Sequence, residues 1–292
     1  IQRAPRTMAS DSPDPDRSIR PVPALLPAEL EPLLEDPFSR AWAATPSGDA
    51  GRQRLLQRLA DTRAAETGMQ TVRRRHAARN TVAPGVLAQW LYRADAGRAA
   101  RPGEPLAARL FDLQPGAVLP ASAVALADAA APVHREWLVL QGRVHDAARA
   151  LDLGPRDYHV LPAGAAGPDW RSEHGAQLFL RESDIAAQPG DAAHTVLDSV
   201  AGWPDYAPGI RRRVLWQRDG QAALLYLADP GAQVPMHTHG HDEECLMVQG
   251  ELFLDDVLLQ QGDYQIAPAG TGHRITATDT GVVIYAHGDL DL

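Results

Sequence analysis

Three histidines and one glutamate, His237, His239, Glu243 and His273, lie within the stretch Gly231–His273 among turn glycines and strand-like runs. Imidazole nitrogen and carboxylate oxygen together suit Zn, Fe, Mn, Ni or Cu far better than Mg or Ca. The spacing gathers them into one site. Residues two apart on a strand point the same way, so His237 and His239 share a face. Glu243 falls on the next strand with Cys245 and Met247 on its face, while Glu244 points oppositely. His273, past the turn at Pro268, closes the site from a third strand. Four side chains from three strands can surround one ion and leave one or two positions open. Beside them, His241 reads as a solvated loop histidine and Cys245 as a buried, inert thiol.

The fixed positions go further than the ligand types. Gly231, His237, His239, Glu243 and Gly250 fit the pattern G-x5-H-x-H-x3-4-E-x6-G, and Gly262, Pro268 and His273 fit G-x5-P-x4-H-x3-N, with Ala277 in place of the final Asn. This stretch resembles the two motifs of the cupin superfamily. Among cupins it is most similar to ChrR-type domains, the C-terminal cupins of zinc-dependent anti-sigma factors. That similarity rests on His237-Thr-His239, Glu243-Glu244, the run Leu-Met-Val-Gln-Gly250, Gly262-Asp-Tyr264 and Pro268-Ala-Gly270. The resemblance implies a jelly-roll β-barrel holding one divalent metal ion on His237, His239, Glu243 and His273. Zinc is the first expectation, with Fe, Mn or Ni as alternatives. It also implies a sigma factor as partner. Such anti-sigma factors carry an N-terminal helical domain with a His/Cys zinc motif, whereas the residues before Gly68 here contain neither His nor Cys.

The elements that must position the site recur earlier in the chain. Thr71-Val72 to Pro84-Gly85 spans the same interval as Thr195-Val196 to Pro208-Gly209. Pro115-Gly-Ala-Val-Leu-Pro120 matches Pro230-Gly-Ala-Gln-Val-Pro235, Glu136-Trp-Leu-Val-Leu-Gln-Gly142 matches Glu244-Cys-Leu-Met-Val-Gln-Gly250, and Asp157-Tyr158 to Gly164 matches Asp263-Tyr264 to Gly270. Four blocks in one order indicate an internal duplication. Short apolar runs broken by Gly, Pro and Asp give each copy the pattern of an antiparallel barrel. The expected fold class is therefore all-β: two tandem cupin (jelly-roll β-barrel) domains, preceded by a short helical N-terminal segment. Residues 1–35 read as disordered or extended and 36–68 as helical, with Leu55, Leu56 and Leu59 as the apolar stripe. Residues 69–193 form a degenerate barrel and 194–292 the metal-binding barrel. In the first copy, Ser122, Val124, Arg135 and Gly167 stand where the four ligands should be, so one metal is expected, not two. His134 and His159 lie nearby in the wrong register and read as satisfied or solvated.

Composition limits the partners. A net charge of -9 disfavours nucleic acid. No apolar run reaches about 18 residues, so no membrane span is expected. Residues 1–23 lack an apolar signal core, and a cytoplasmic location is the default. The single cysteine, Cys245, excludes an intrachain disulfide. Arg73-Arg74-Arg75 and Arg211-Arg212-Arg213 occupy equivalent repeat positions and read as partners for the excess acid. A homodimer and a small-molecule ligand are expected. Three functions remain open at this point: a metal-dependent sensor or regulator, a metal-dependent dioxygenase or isomerase acting on a small chelating substrate, and a zinc-loaded structural protein.

Overall fold

The computed structural model describes residues 51–57, 60, 68–94, 103–126 and 131–290. The chain divides into two compact units, residues 1–64 and 65–292. In the first, a helix covers 51–57, with Leu55 exposed and Leu56 half-buried. The stretch 1–35, expected to be disordered or extended, lies outside the described residues, as do Leu59 and most of 36–68.

The second unit is all-β, as expected from the repeated strand pattern. One seven-stranded antiparallel sheet runs in the order His194–Val196, Tyr158–Leu161, His134–Gly142, Ala176–Ser183, Pro105–Leu113, Val86–Arg93, Arg79–Ala83. The main path of the other runs Gln70–Val72, Tyr264–Ala267, Glu243–Leu254, Val282–Asp289, Gln221–Ala228, Ile210–Arg218, Asp205–Ala207. Each sheet thus begins on a strand from the opposite repeat. Gln70–Val72 pairs with Tyr264–Ala267, and His194–Val196 pairs with Tyr158–Leu161. The same device pins both exchanged segments. The backbone N–H of Arg74 donates to Asp263 Oδ1 at 3.0 Å, and that of Asp198 donates to Asp157 Oδ1 at 2.7 Å. The arginine triplets do pair with acid: Arg73 reaches Asp263, Arg213 reaches Asp198 and Arg211 reaches Asp229.

The central strands are near-continuous apolar runs because both of their faces are covered. Along His134–Gly142, Leu138 and Leu140 pack between the two sheets with Tyr158, Phe179, Leu246, Tyr264 and Tyr285. Trp137 and Val139 turn instead into the first barrel, against Phe111, Trp170 and Leu180. In the second copy Cys245 and Met247 turn into the second barrel, beside Leu252, Leu254 and Ile284. Period-two alternation therefore divides one run between two cores.

Gly142 ends the strand His134–Gly142, and Gly250, at the equivalent repeat position, lies within the longer strand Glu243–Leu254. Both have positive φ, +72° and +78°. A Cβ on Gly250 would lie 2.2 Å from the carbonyl oxygen of Gly281, and one on Gly142 would lie 2.1 Å from that of Gly175. Gly250→Ala is therefore expected to cost at least about 2 kcal/mol, from left-handed strain plus a backbone clash. Chemical denaturation of the variant measures it, and a loss below 0.5 kcal/mol (about one surface substitution's worth) would mean the turn is free to relax.

Candidate metal centre

Two short strands and one long strand deliver the predicted ligands, with His239 just past the end of the first. His237–Thr238 pairs with Gly272–His273, placing His237 opposite His273, and Glu243 opens the long strand Glu243–Leu254. Ligand atoms of His237, His239 and Glu243 all lie within 4.8 Å of one another. His239 Nε2 is 3.4 Å from Glu243 Oε2. The His273 ring joins them, its centroid 5.0 Å from that of His239 and 5.7 Å from that of His237. Three of the four predicted site residues thus form one candidate group, and His273 stands beside it through ring contacts alone. Among the described residues, His237, His239 and Glu243 are the group of His, Cys, Asp or Glu side chains close enough to share an ion.

The imidazoles show which nitrogen each would offer. His237 Nδ1 lies 3.1 Å from the Pro235 carbonyl oxygen, His239 Nδ1 lies 3.3 Å from Thr271 Oγ1, and His273 Nδ1 lies 3.6 Å from Asp255 Oδ2. An oxygen within hydrogen-bond reach of Nδ1 orients His237 and His239 and leaves Nε2 as the free donor, the arrangement that tunes histidine for a metal, whereas His273 Nδ1 is buried without a hydrogen-bond partner. His239 Nε2 is buried with no hydrogen-bond partner. A buried, orphaned nitrogen beside a carboxylate is costly unless a cation sits between them, so the donor set fits a metal ion. Asp255, which also accepts the backbone N–H groups of Arg274 and Ile275, is a contributor that the motif spacing does not reveal.

Electrostatics agree. Burial, with the neighbouring His273 and His237, holds His239 down to about 4, so its ring is neutral at pH 7. Burial and Asp289 push Glu243 up to about 7. Without a cation the carboxylate is uncomfortable, and a divalent ion would relieve it. Glu244 points away from this cluster, toward Arg181 and Tyr264. The predicted solvated histidine, His241, is instead held by Asp289, Nδ1 to Oδ1 at 2.5 Å. Cys245 is buried, as expected, and burial followed by Glu243 pushes its thiol well above its ordinary value.

A narrow, largely apolar cavity opens inside the barrel behind His237 and Glu243. Its walls include Ile210, Leu224, Leu252, Leu254 and Ile284, with Tyr226, Cys245 and Thr276 among them.

The sister barrel carries a different cluster at the corresponding place. Arg135, equivalent to Glu243, donates from Nε to Glu182 Oε1 at 3.0 Å. Arg109 donates to Glu182 and also to the carbonyl oxygen of Val124, the residue equivalent to His239. Two of the four ligand positions thus engage a buried guanidinium–carboxylate cluster. His159 lies apart, its Nδ1 2.9 Å from Thr195 Oγ1, and His134 packs on Trp216; the Nε2 of each is buried without a hydrogen-bond partner, so neither is fully satisfied or solvated as expected.

Comparison with known proteins agrees with this geometry. The family model described as the ChrR cupin-like domain matches residues 191–291, which form a cupin-type domain. No curated protein sequence matched the chain. Similar solved structures include a candidate dioxygenase from Nostoc punctiforme, 14% identical over 77% of this chain and 83% of that one, TM-score 0.59. Another is the protein YlbA from E. coli, 13% identical over 77% and 93%, TM-score 0.55. A third is the pirin YhhW from Escherichia coli in complex with nickel(II), 8% identical over 75% and 98%, TM-score 0.54. At these identities the likeness is one of fold. Among the described residues no helix is long and apolar enough to cross a membrane.

Proposed function

We propose that the chain is a ChrR-like bicupin, with a metal-free barrel over 69–193 and a metal-binding barrel over 194–292, acting as a sensory or regulatory protein. One divalent ion, zinc by preference, is held by His237, His239, Glu243 and His273. When bound, the ion supplies a Lewis-acid position that a small ligand can occupy. The chain's own residues do the rest: Pro235 and Thr271 orient two of the rings, and the barrel walls exclude water from the ligand.

The observation that carries the regulatory reading is the linkage of the ligand strand to the other barrel. Glu244, the residue after Glu243, accepts from Arg181 Nε at 2.6 Å, and Arg181 lies on the strand Ala176–Ser183 of the first repeat. A change at Glu243 has a short, buried route across the sheets. The match of residues 191–291 to the ChrR domain supports the same reading. Hydrogen exchange tests it. Metal loading is expected to slow amide exchange in 176–183 at least about tenfold, equivalent to about 1.4 kcal/mol. Unchanged protection there would refute the coupling.

The alternative is a metal-dependent enzyme acting on a small chelating substrate, of dioxygenase or isomerase type. It is favoured by the cavity opening on His237 and Glu243. Substrate-dependent oxygen uptake or isomerisation by the metal-loaded protein would establish that reading instead.

A further inference from the structure

The duplication supplies an internal control for the cavity. Strand pairing puts Trp137 at the register of Cys245, since Trp137 pairs with Leu180 and Cys245 with the equivalent Ala286. It likewise puts Trp170 at the register of Thr276, since these pair with the equivalent Leu119 and Val234. In the first barrel both indoles are buried and pack edge to face, ring centroids 6.0 Å apart, filling the interior with Phe111. In the second barrel a thiol and a threonine stand at those two places, and both line the cavity. The metal-binding copy is hollow where its sister is filled, and its hollow ends at two predicted ligands.

The chemistry of the walls narrows the occupant. Ionisable lining groups are His237, Glu243, Cys245, Asp289 and the two tyrosines, Tyr206 and Tyr226; Arg212 lies beside the tyrosines, 4.1 Å from the Tyr206 ring and opposite Tyr226 on the neighbouring strand. A ligand carboxylate at the mouth has the metal to neutralise it. A second carboxylate deeper in, against Leu252, Leu254 and Ile284, would be buried on an apolar wall and is disfavoured there. Thr276 Oγ1 is buried without a hydrogen-bond partner, so one hydroxyl or carbonyl on the ligand body would find a partner in the wall.

Resting on the metal-centre reading above, we infer that this barrel takes a small monoanionic ligand: one carboxylate head at the metal and an aliphatic or aromatic body in the barrel, not a short dicarboxylate. The test is calorimetric titration of the metal-loaded full chain with acetate, butanoate, hexanoate, octanoate and oxalate, with metal content measured separately by mass spectrometry. Affinity is expected to rise about threefold to fourfold per added methylene, with oxalate binding no better than acetate. Thr276→Trp, which installs the residue its sister barrel carries at that register, is expected to keep its metal and lose the chain-length gain. If that variant does not fold, Cys245→Phe serves with the same readout. A flat series, or oxalate binding more tightly than octanoate, overturns the ligand class. A protein that holds no metal yet shows the chain-length series would refute the metal centre while upholding the apolar body.

Discussion

Arg181→Met is expected to destabilise the protein by about 3–5 kcal/mol, the usual cost of removing one partner from a buried ionic network. The Arg181 side chain is 1% exposed, and its partners Glu136 and Glu244 are 1% and 0% exposed. Its Nε donates to Glu244 at 2.6 Å, its Nη1 to Glu136 at 3.0 Å and its Nη2 to the carbonyl oxygen of Gly103 at 2.7 Å. The carboxylates are completed by tyrosine hydroxyls. Tyr158 and Tyr285 donate to Glu136, and Tyr264 donates to Glu244. Burial alone would push Glu136 up, but the surrounding charges and the Tyr158 hydroxyl hold it down to about 2. Methionine fills much of the arginine stem's volume but leaves two buried carboxylates facing each other's charge. Urea unfolding measures the loss. Adding Glu136→Gln and Glu244→Gln to Arg181→Met is expected to recover most of it, since no charge is then left unpaired. If the three substitutions were simply additive, the groups would not form one network.

This network also marks where the sequence stops being informative. Glu136 and Glu244 are equivalent in the repeat, as are Tyr158 and Tyr264, so the duplication displays the anionic half. Arg181 stands alone in an apolar strand, opposite His287 in the second copy, and no local pattern says that it bridges the two halves. The exchange of Gln70–Val72 and His194–Val196 is hidden for a related reason. Their similarity is legible, but strand partners 160 or more residues apart for one and about 35 apart for the other are set by tertiary packing, not by spacing. The clustering of His237, His239 and Glu243 is legible because strand alternation and fixed turn residues determine side-chain direction locally. Asp255 is not, because an aspartate at a turn is commonplace until its neighbour is seen to be His273. The hollow of the second barrel lies between these cases. The repeat alignment already sets Trp137 against Cys245, but only strand register shows that both positions face inward.

The second large effect concerns the metal itself. His237→Ala with His239→Ala is expected to reduce metal content from one equivalent per chain to none, since it removes two of four ligands. An equivalent retained by the double variant would place the ion elsewhere. The metal-free site should also carry a pH signature of its own. Glu243 is raised from 4.5 to about 7 by burial and by Asp289. A carboxyl with a raised folded value contributes stability that is fully present below its unfolded value and lost as pH rises through the folded one. Between pH 4.5 and 7 the metal-free protein should therefore lose about 2–3 kcal/mol through this group, which Glu243→Gln would not lose. Metal reverses the preference, because binding requires the carboxylate. The share released through Glu243, read as the difference between the protein and Glu243→Gln, should be about half a proton at pH 7, close to one near pH 5.5 and almost none above pH 8.5. Calorimetry in buffers of different ionisation enthalpy counts those protons. His239, held down to about 4, is already neutral over this range and adds none. A release that does not change from pH 5.5 to 8.5, or one that Glu243→Gln leaves intact, would remove Glu243 from the ligand set.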